Sequence, residues 1–250
     1  MKFSGKTFVI MGATSGVGRT LAKKLSDEGA SLVLCGRNEE KLNDIASEIC
    51  SDNYKIKLDV ASSSFEGEFL EELSNASTAL GGVKFDGGVY CSGIAPIMPL
   101  RGISRKLIDD VFAVNYTGAV VFFKVLAAKN IRSSLSSIVY VSSVSASRGE
   151  KGLGIYGASK AAMESSIRTF AKELAPFNVR INCISLGWLN TKMNAENAQT
   201  AGGLLQRMKD SHPLGIGSTS DAASAISFLL SDDAKWITGT TLVVDGGYLA

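Results

Sequence analysis

The chain has 250 residues, enough for a sizeable core and short enough for one domain spanning 1–250. With 45% apolar and 20% charged residues it has the balance of a soluble globular protein, and a net charge of +2 gives no basic surplus for nucleic acid or an anionic membrane. No run approaches the roughly 18 apolar residues of a transmembrane helix, and Met1–Lys6 lead into the first apolar run without a secretory signal pattern, which points to the cytoplasm.

Strands are predicted at Thr7–Met11, Ser31–Cys35, Lys55–Leu58, Gly87–Cys91, Ser137–Val141, Arg180–Ile184 and Thr241–Val244. Helices fall between them at Gly18–Glu28, Glu39–Cys50, Phe65–Ala79, Arg105–Lys129, Ala158–Ala175 and Asp221–Leu230. Phe8-Val9-Ile10-Met11 and Leu32-Val33-Leu34 are apolar throughout rather than alternating, as in strands buried on both faces. Strand–helix alternation over the whole chain predicts a Rossmann-type, doubly wound α/β sandwich of about seven parallel strands with helices on both faces. Ligands of such sheets bind beyond the carboxyl ends of the strands, so the polar residues at those ends are the candidates for chemistry.

The first strand runs into Gly12-Ala13-Thr14-Ser15-Gly16-Val17-Gly18 and then a helix. Glycines there permit a tight turn and a close approach of backbone to a pyrophosphate, with the helix N–H groups aimed at the anion. The second strand ends Cys35-Gly36-Arg37. An acidic residue at this place would bind a ribose 2′-OH and select NAD(H). Gly36 leaves the place empty, and the Arg37 guanidinium suits a 2′-phosphate, hence NADP(H); the plain alternative is a surface arginine. Asp59-Val60 follow the third strand, where the carboxylate either receives the adenine amino group or caps a turn.

The fifth strand runs out into Ser142-Ser143, and Tyr156 and Lys160 follow at i, i+4 on one helix face. Carbonyl reduction needs a hydride, which a nicotinamide carries, and a proton, which the protein must supply. A tyrosine titrates near 10, and an adjacent ammonium favours its phenolate. A serine hydroxyl can hold the carbonyl oxygen as charge develops there. Asn115, inside an apolar helical stretch, either holds a water near Lys160 or satisfies a broken helix turn.

Taken together, these residues resemble the short-chain dehydrogenase/reductase family in its compact form, over essentially the entire chain. The resemblance rests on the G-x-x-x-G-x-G loop, Asp59-Val60, Asn115, Ser143, Tyr156-x-x-x-Lys160, Ile237-Thr238-Gly239 and Val244-Asp245-Gly246-Gly247. It implies a catalytic set of Asn115, Ser143, Tyr156 and Lys160. Tyr156 is then the acid/base, Lys160 the ribose ligand that lowers the tyrosine's pKa, and Asn115 the keeper of a relay water. It also implies dinucleotide contacts from Gly12, Thr14, Ser15, Gly16, Val17, Gly18, Arg37, Asp59, Val60, Ser92, Gly93, Gly187, Leu189 and Thr191, besides Asn115, Tyr156 and Lys160. The chain departs from the family pattern at Met11, at Tyr90-Cys91-Ser92-Gly93, where N-N-A-G is usual, and at Leu186-Gly187, where Pro-Gly is common. The general likeness is to 3-oxoacyl-acyl-carrier-protein reductases; Ala175-Pro176-Phe177-Asn178 lacks the basic residue that would favour an acidic acyl carrier protein, which leaves Arg168 and Lys172 as its contacts and the carrier as one candidate beside ketones, sugars and alcohols.

The segment 188–213 carries Met193, Leu204, Leu205 and Met208 and is expected to lid a small carbonyl or alcohol substrate, or else to pack on the domain. Family members are commonly tetramers, which makes Val120–Ala128 and Gly246–Ala250 the expected interface of a homotetramer. Cys35, Cys91 and Cys183 read as buried free thiols in strands. One histidine, His212, with scattered cysteines leaves no zinc set and a poor basis for a Ser-His-Asp triad. Two further readings remain: an NAD-linked alcohol or sugar dehydrogenase, and a dinucleotide-binding regulator without catalysis.

Overall fold

A computed structural model describes residues 1–191 and 204–250, with the backbone alone at 204 and 205. Its frame is one seven-stranded sheet in the order β3-β2-β1-β4-β5-β6-β7, with every pairing parallel. The strands are β1 (Thr7–Met11), β2 (Ser31–Gly36), β3 (Asn53–Lys57), β4 (Phe85–Tyr90), β5 (Arg132–Ser143), β6 (Val179–Leu186) and β7 (Thr241–Val244). The helices are α1 (Gly16–Asp27), α2 (Glu39–Glu48), α3 (Phe65–Ala79), α4 (Arg105–Phe112), α5 (Gly118–Leu126), α6 (Gly154–Leu174), α7 (Leu204–Ser211) and α8 (Thr219–Leu230).

Period-2 alternation sorts the apolar strands onto two cores. From β1, Val9 and Met11 join Val33 and Cys35 of β2 and pack with Phe69 of α3, Phe122 of α5 and Ile167 of α6. Phe8 and Ile10 point the other way, joining Leu32 and Leu34 against Leu21 and Leu25 of α1 and Ile226 of α8. Both faces of the sheet are thereby covered, which is why these strands show no polar face in sequence.

The structure moves several predicted boundaries. β5 is more than twice its expected length and carries Ser142 and Ser143 as its last two residues, paired with Ser185 and Leu186 of β6. β3 starts two residues earlier, because polar Asn53 and Tyr54 pair with Leu32 and Val33. The helix predicted over Arg105–Lys129 is not continuous. It breaks into α4 and α5 around a π turn at Ala113–Thr117, where the Gly118 N–H donates to the Ala113 carbonyl five residues back instead of to Val114.

Two tyrosines account for this turn. The Tyr90 hydroxyl, at the end of β4, donates to the Val114 carbonyl at 2.6 Å. The Tyr140 hydroxyl, in β5, donates to the next carbonyl, that of Asn115, at 2.7 Å. Both rings are fully buried, stacked on one another with centroids 6.1 Å apart. Gly118 leaves room for this arrangement, since a Cβ there would come within 2.8 Å of the Tyr90 hydroxyl. Buried carbonyls need partners, and here the sheet supplies them to the helix.

Candidate active site

The carboxyl ends of the strands open into a cleft of about 1040 Å³, the upper end of the size usual for small-molecule sites. One end is built by the loop after β1. The Gly12 and Ala13 N–H groups both donate to the Cys35 carbonyl, at 2.9 and 3.0 Å, which pins the loop to the end of β2. This backbone tie holds the loop although Met11, buried in the core, offers no side-chain hydrogen bond there. Ser15 is the N-cap residue of α1, with extended backbone and no side-chain cap, so the first helical N–H groups stay directed at the cleft. Gly12 has a φ of 88° and Gly16 of 51°, a region that favours glycine.

The shape of this end fits a dinucleotide on steric grounds. A Cβ on Gly18 would lie 2.2 Å from the Gly12 carbonyl oxygen, and one on Gly12 would lie 2.9 Å from the Ser92 nitrogen. Only glycines let the loop fold tightly enough to leave backbone facing the cleft. Gly36 repeats the logic, since a Cβ there would meet Thr14 Cγ2 at 2.8 Å. Gly187 does so after β6, where a Cβ would lie 2.7 Å from the Asp245 Cα.

Every residue expected at the site lines this one cleft except Asn115, which is fully buried behind it. Arg37 lies at the rim beside two residues that sequence reasoning passed over, Asn38 and Lys41. Asn38 caps α2 by accepting from the Lys41 N–H at 2.9 Å. The signal was available in part: an N-cap type directly after Arg37 starts a helix whose third residue is a lysine. Asp59 accepts from the Ala61 N–H at 3.0 Å, so its carboxylate caps a turn while lining the cleft. Ser92 and Gly93 line the cleft, and Gly93 lies against Lys160: a Cβ there would be 3.5 Å from Lys160 Nζ. Leu189 and Thr191 close the far side after β6.

The other end holds Ser143, Tyr156 and Lys160. Tyr156 stands in the first turn of α6, and Lys160 Nζ lies 5.7 Å from its ring centroid. Ser143 lies beside the Tyr156 side chain, and its Oγ accepts from the Ser145 N–H at 3.2 Å. Burial pushes the Tyr156 hydroxyl above its ordinary pKa, and the Ser143 contact works against that rise. Lys160 is buried and donates to the Val141 carbonyl at 2.8 Å, with Nζ 4.5 Å from the Tyr140 ring centroid. Burial brings its pKa down to about 8.

Asn115 is bound on every side. Its Oδ1 accepts from the Ile94 N–H at 2.9 Å, and its Nδ2 donates to the Ile94 carbonyl and to Ser159 Oγ, each at 3.0 Å. It thereby ties the loop after β4 to α6, a tie that the Tyr90-Cys91-Ser92-Gly93 segment does not make itself. Its backbone carbonyl accepts from the Tyr140 hydroxyl at 2.7 Å.

Apolar and mixed side chains wall the remaining space, among them Ile94, Val144, Leu153, Trp188 and Met208. Met208, on α7, packs with Val144 and Tyr248; Met193 lies outside the described residues. His212 is buried and fully engaged. Its Nε2 accepts from the Trp188 N–H at 3.0 Å, its Nδ1 meets the Met208 carbonyl at 2.6 Å, and its ring stacks on Tyr248. With both nitrogens on backbone, it is not placed as a nucleophile's base. Tyr248 is buried against this wall and hydrogen-bonds Glu150. Of the cysteines, Cys35 and Cys183 are buried as expected, Cys91 is half-buried just past β4 and lines the cleft, and Cys50 is exposed. Among the described residues, no helix is long and apolar enough to cross a membrane, and no three His, Cys, Asp or Glu side chains cluster as a metal set.

Comparison with known proteins bears on the whole chain. Residues 12–249 match the family described as Enoyl-(Acyl carrier protein) reductase. A 3-oxoacyl-[acyl-carrier-protein] reductase FabG of Aquifex aeolicus is 30% identical, over 99% of this chain and 98% of its own. An L-xylulose reductase of Caenorhabditis elegans is 32% identical, over 98% and 96%. Among solved structures, a short-chain dehydrogenase/reductase of the glucose/ribitol dehydrogenase type from Brucella melitensis superposes with a TM-score of 0.90 at 32% identity, covering 99% of this chain and 98% of that one. A short-chain type dehydrogenase/reductase from Mycobacterium ulcerans gives 0.91 at 28%, covering 100% and 91%. On this agreement of sequence, topology and cleft, the chain belongs to the short-chain dehydrogenase/reductase family of oxidoreductases, which act on CH–OH and C=O groups.

Proposed function

We propose that the chain is an NADP(H)-dependent carbonyl reductase that uses Tyr156 as its proton donor. One observation carries the reading: Ser143, Tyr156 and Lys160 share one wall of a cleft whose other end is a glycine cradle. The cradle residues Gly12–Gly18 would hold a pyrophosphate, Asp59 and Val60 the adenine, and Lys160 the nicotinamide ribose. When bound, the dinucleotide supplies the hydride.

The chain's own groups do the rest. Ser143 donates a hydrogen bond to the carbonyl oxygen, which favours the build-up of negative charge there. Tyr156 gives that oxygen its hydroxyl proton. The Lys160 ammonium, close by in a buried setting, favours the phenolate that remains. The apolar wall around Val144, Trp188 and Met208 keeps water from the reacting carbon. Asn115 serves as a strut between the loop after β4 and α6, on the strength of its three side-chain hydrogen bonds.

For the dinucleotide, Arg37 and Lys41 flank the N-terminus of α2 at the rim, and Gly36 offers no carboxylate to a ribose diol. Two cations at that corner suit a 2′-phosphate. The substrate classes in view are ketones, 3-oxoacyl thioesters and keto-sugars, in keeping with the two reductases above. A cytoplasmic homotetramer belongs to the same reading through the family resemblance.

The test is a binding titration with NADPH and NADH, followed by a panel of those carbonyl classes with NADPH. Tighter NADPH binding and consumption of NADPH with at least one class support the reading. Tighter NADH binding, with turnover only on alcohols or sugars, replaces it by an NAD-linked dehydrogenase. Binding without turnover on any class leaves a dinucleotide-binding regulator.

A further inference from the structure

The serine pair that ends β5 divides its work. Both line the cleft against α6, Ser143 beside Tyr156 and Ser142, which is buried, beside Glu164. The Ser142 Oγ donates to Glu164 Oε1 at 2.5 Å. Glu164 stands one helical turn beyond Lys160, so Tyr156, Lys160 and Glu164 recur at i, i+4 along one edge of α6. The peptide between them closes a small ring of contacts. Lys160 donates to the carbonyl of Val141, Val141 is bonded to Ser142, and Ser142 is held by Glu164.

We propose that Glu164 is a positioning residue for Lys160, the counter-charge that keeps its buried ammonium protonated and, through Ser142, fixes the Val141 carbonyl that receives it. The groups facing Lys160 are few. Cys91 and Cys183 are thiols held neutral by burial, Tyr140 presents its ring, and Tyr156 is neutral in the same range. Glu164 is the carboxylate among them. It is itself faced by Ser142, Lys160 and, one turn further on, Arg168, all of which favour its charged form against the burial that opposes it. The tyrosine ring adds a favourable face to the ammonium, but a quadrupole attracts less than a full charge.

The inference rests on reading Lys160 as the charge beside Tyr156, so the test does not depend on turnover. Lysine side chains are labelled with nitrogen-15 in the full chain without dinucleotide, and Lys160 is assigned as the signal lost in Lys160→Arg. Glu164→Gln keeps a hydrogen-bond acceptor for Ser142 and removes the charge. Its Lys160 midpoint should fall by about half a pH unit or more. Glu164→Asp should restore the midpoint toward that of the parent. Ser142→Ala keeps the charge, frees the carboxylate and should lower the midpoint by less. An unchanged midpoint in Glu164→Gln overturns the proposal. Should that variant fail to fold, Ser142→Ala decides, and an unchanged midpoint there overturns it equally. If the protein reduces no carbonyl, these midpoints still stand, and the functional reading fails without them.

Discussion

Tyr90→Phe removes a single oxygen from the core and leaves the ring, with its edge contact to Phe122 at 5.5 Å and its stack on Tyr140, in place. What is lost is the 2.6 Å hydrogen bond to the Val114 carbonyl, whose usual helical donor, the Gly118 N–H, is already spent on Ala113. A buried acceptor left in this way costs about 1–3 kcal/mol. For a chain of this size each kcal/mol lowers Tm by roughly 2–4 °C, so a fall of about 4–8 °C is expected for a mid-range cost. Thermal unfolding followed by far-ultraviolet circular dichroism reads this directly. Tyr140→Phe, which unpartners the hydroxyl's bond to Asn115, should cost a similar amount. Because the two rings touch and serve adjacent carbonyls, the double variant should depart from additivity by about 0.5 kcal/mol or more. If both single variants melt within about 1 °C of the parent, the π turn is not held by these hydroxyls and its origin must be sought in α4 and α5 themselves.

Gly18→Ala sets a methyl 2.2 Å from the Gly12 carbonyl oxygen, so the cradle must shift; dinucleotide affinity should fall at least about tenfold, and unchanged affinity in a fluorescence titration would remove the cradle from the account. Arg37→Ala and Lys41→Ala should each weaken NADPH far more than NADH, by about 1–3 kcal/mol; equal losses for both dinucleotides would mean that neither cation meets a 2′-phosphate. Stability should also decline in alkali. Burial raises the Cys35, Cys91 and Cys183 thiols above their ordinary value, Cys91 to about 12. They stay protonated in the folded chain while the unfolded chain ionises, so their stabilising contribution is complete below pH about 9 and is lost as pH rises past it. Lys160, depressed to about 8, contributes in the opposite sense above that pH, and the three thiols outweigh it. Thermal melts from pH 8 to 10.5 should therefore show a falling Tm, with a shallower fall in Cys35→Ala; a rising Tm would contradict the burial assigned to the thiols.

The fold was legible because its strongest signals are local. Apolar runs at Phe8–Met11 and Leu32–Leu34 could belong only to strands covered on both faces, and the glycine loop after the first of them gave the switch from strand to helix. Tyr156 and Lys160 were legible through their spacing. Other features depend on distant pairings that no window of sequence contains. The break at Ala113–Thr117 arises from hydroxyls supplied by β4 and β5, so Arg105–Lys129 reads as one helix until the sheet is placed beside it. Asn115 lies at that break for the same reason. The length of β5 escaped notice because Arg132–Ser136 is polar but for the exposed Leu135 and pairs near the start of the sheet rather than in its core. The contact of Ser142 with Glu164 joins residues 22 apart, so no local window of sequence contains it.

The central claim is that Tyr156 delivers the proton, and one comparison addresses it most directly. Once a carbonyl substrate is found, Tyr156→Phe is measured against the parent in steady-state reduction and in dinucleotide binding. The account expects kcat to fall by about 10²-fold or more, the usual worth of a positioned acid, with dinucleotide affinity nearly unchanged. A variant that retains most of its kcat, while binding the dinucleotide as the parent does, would take the proton transfer away from Tyr156 and contradict the account.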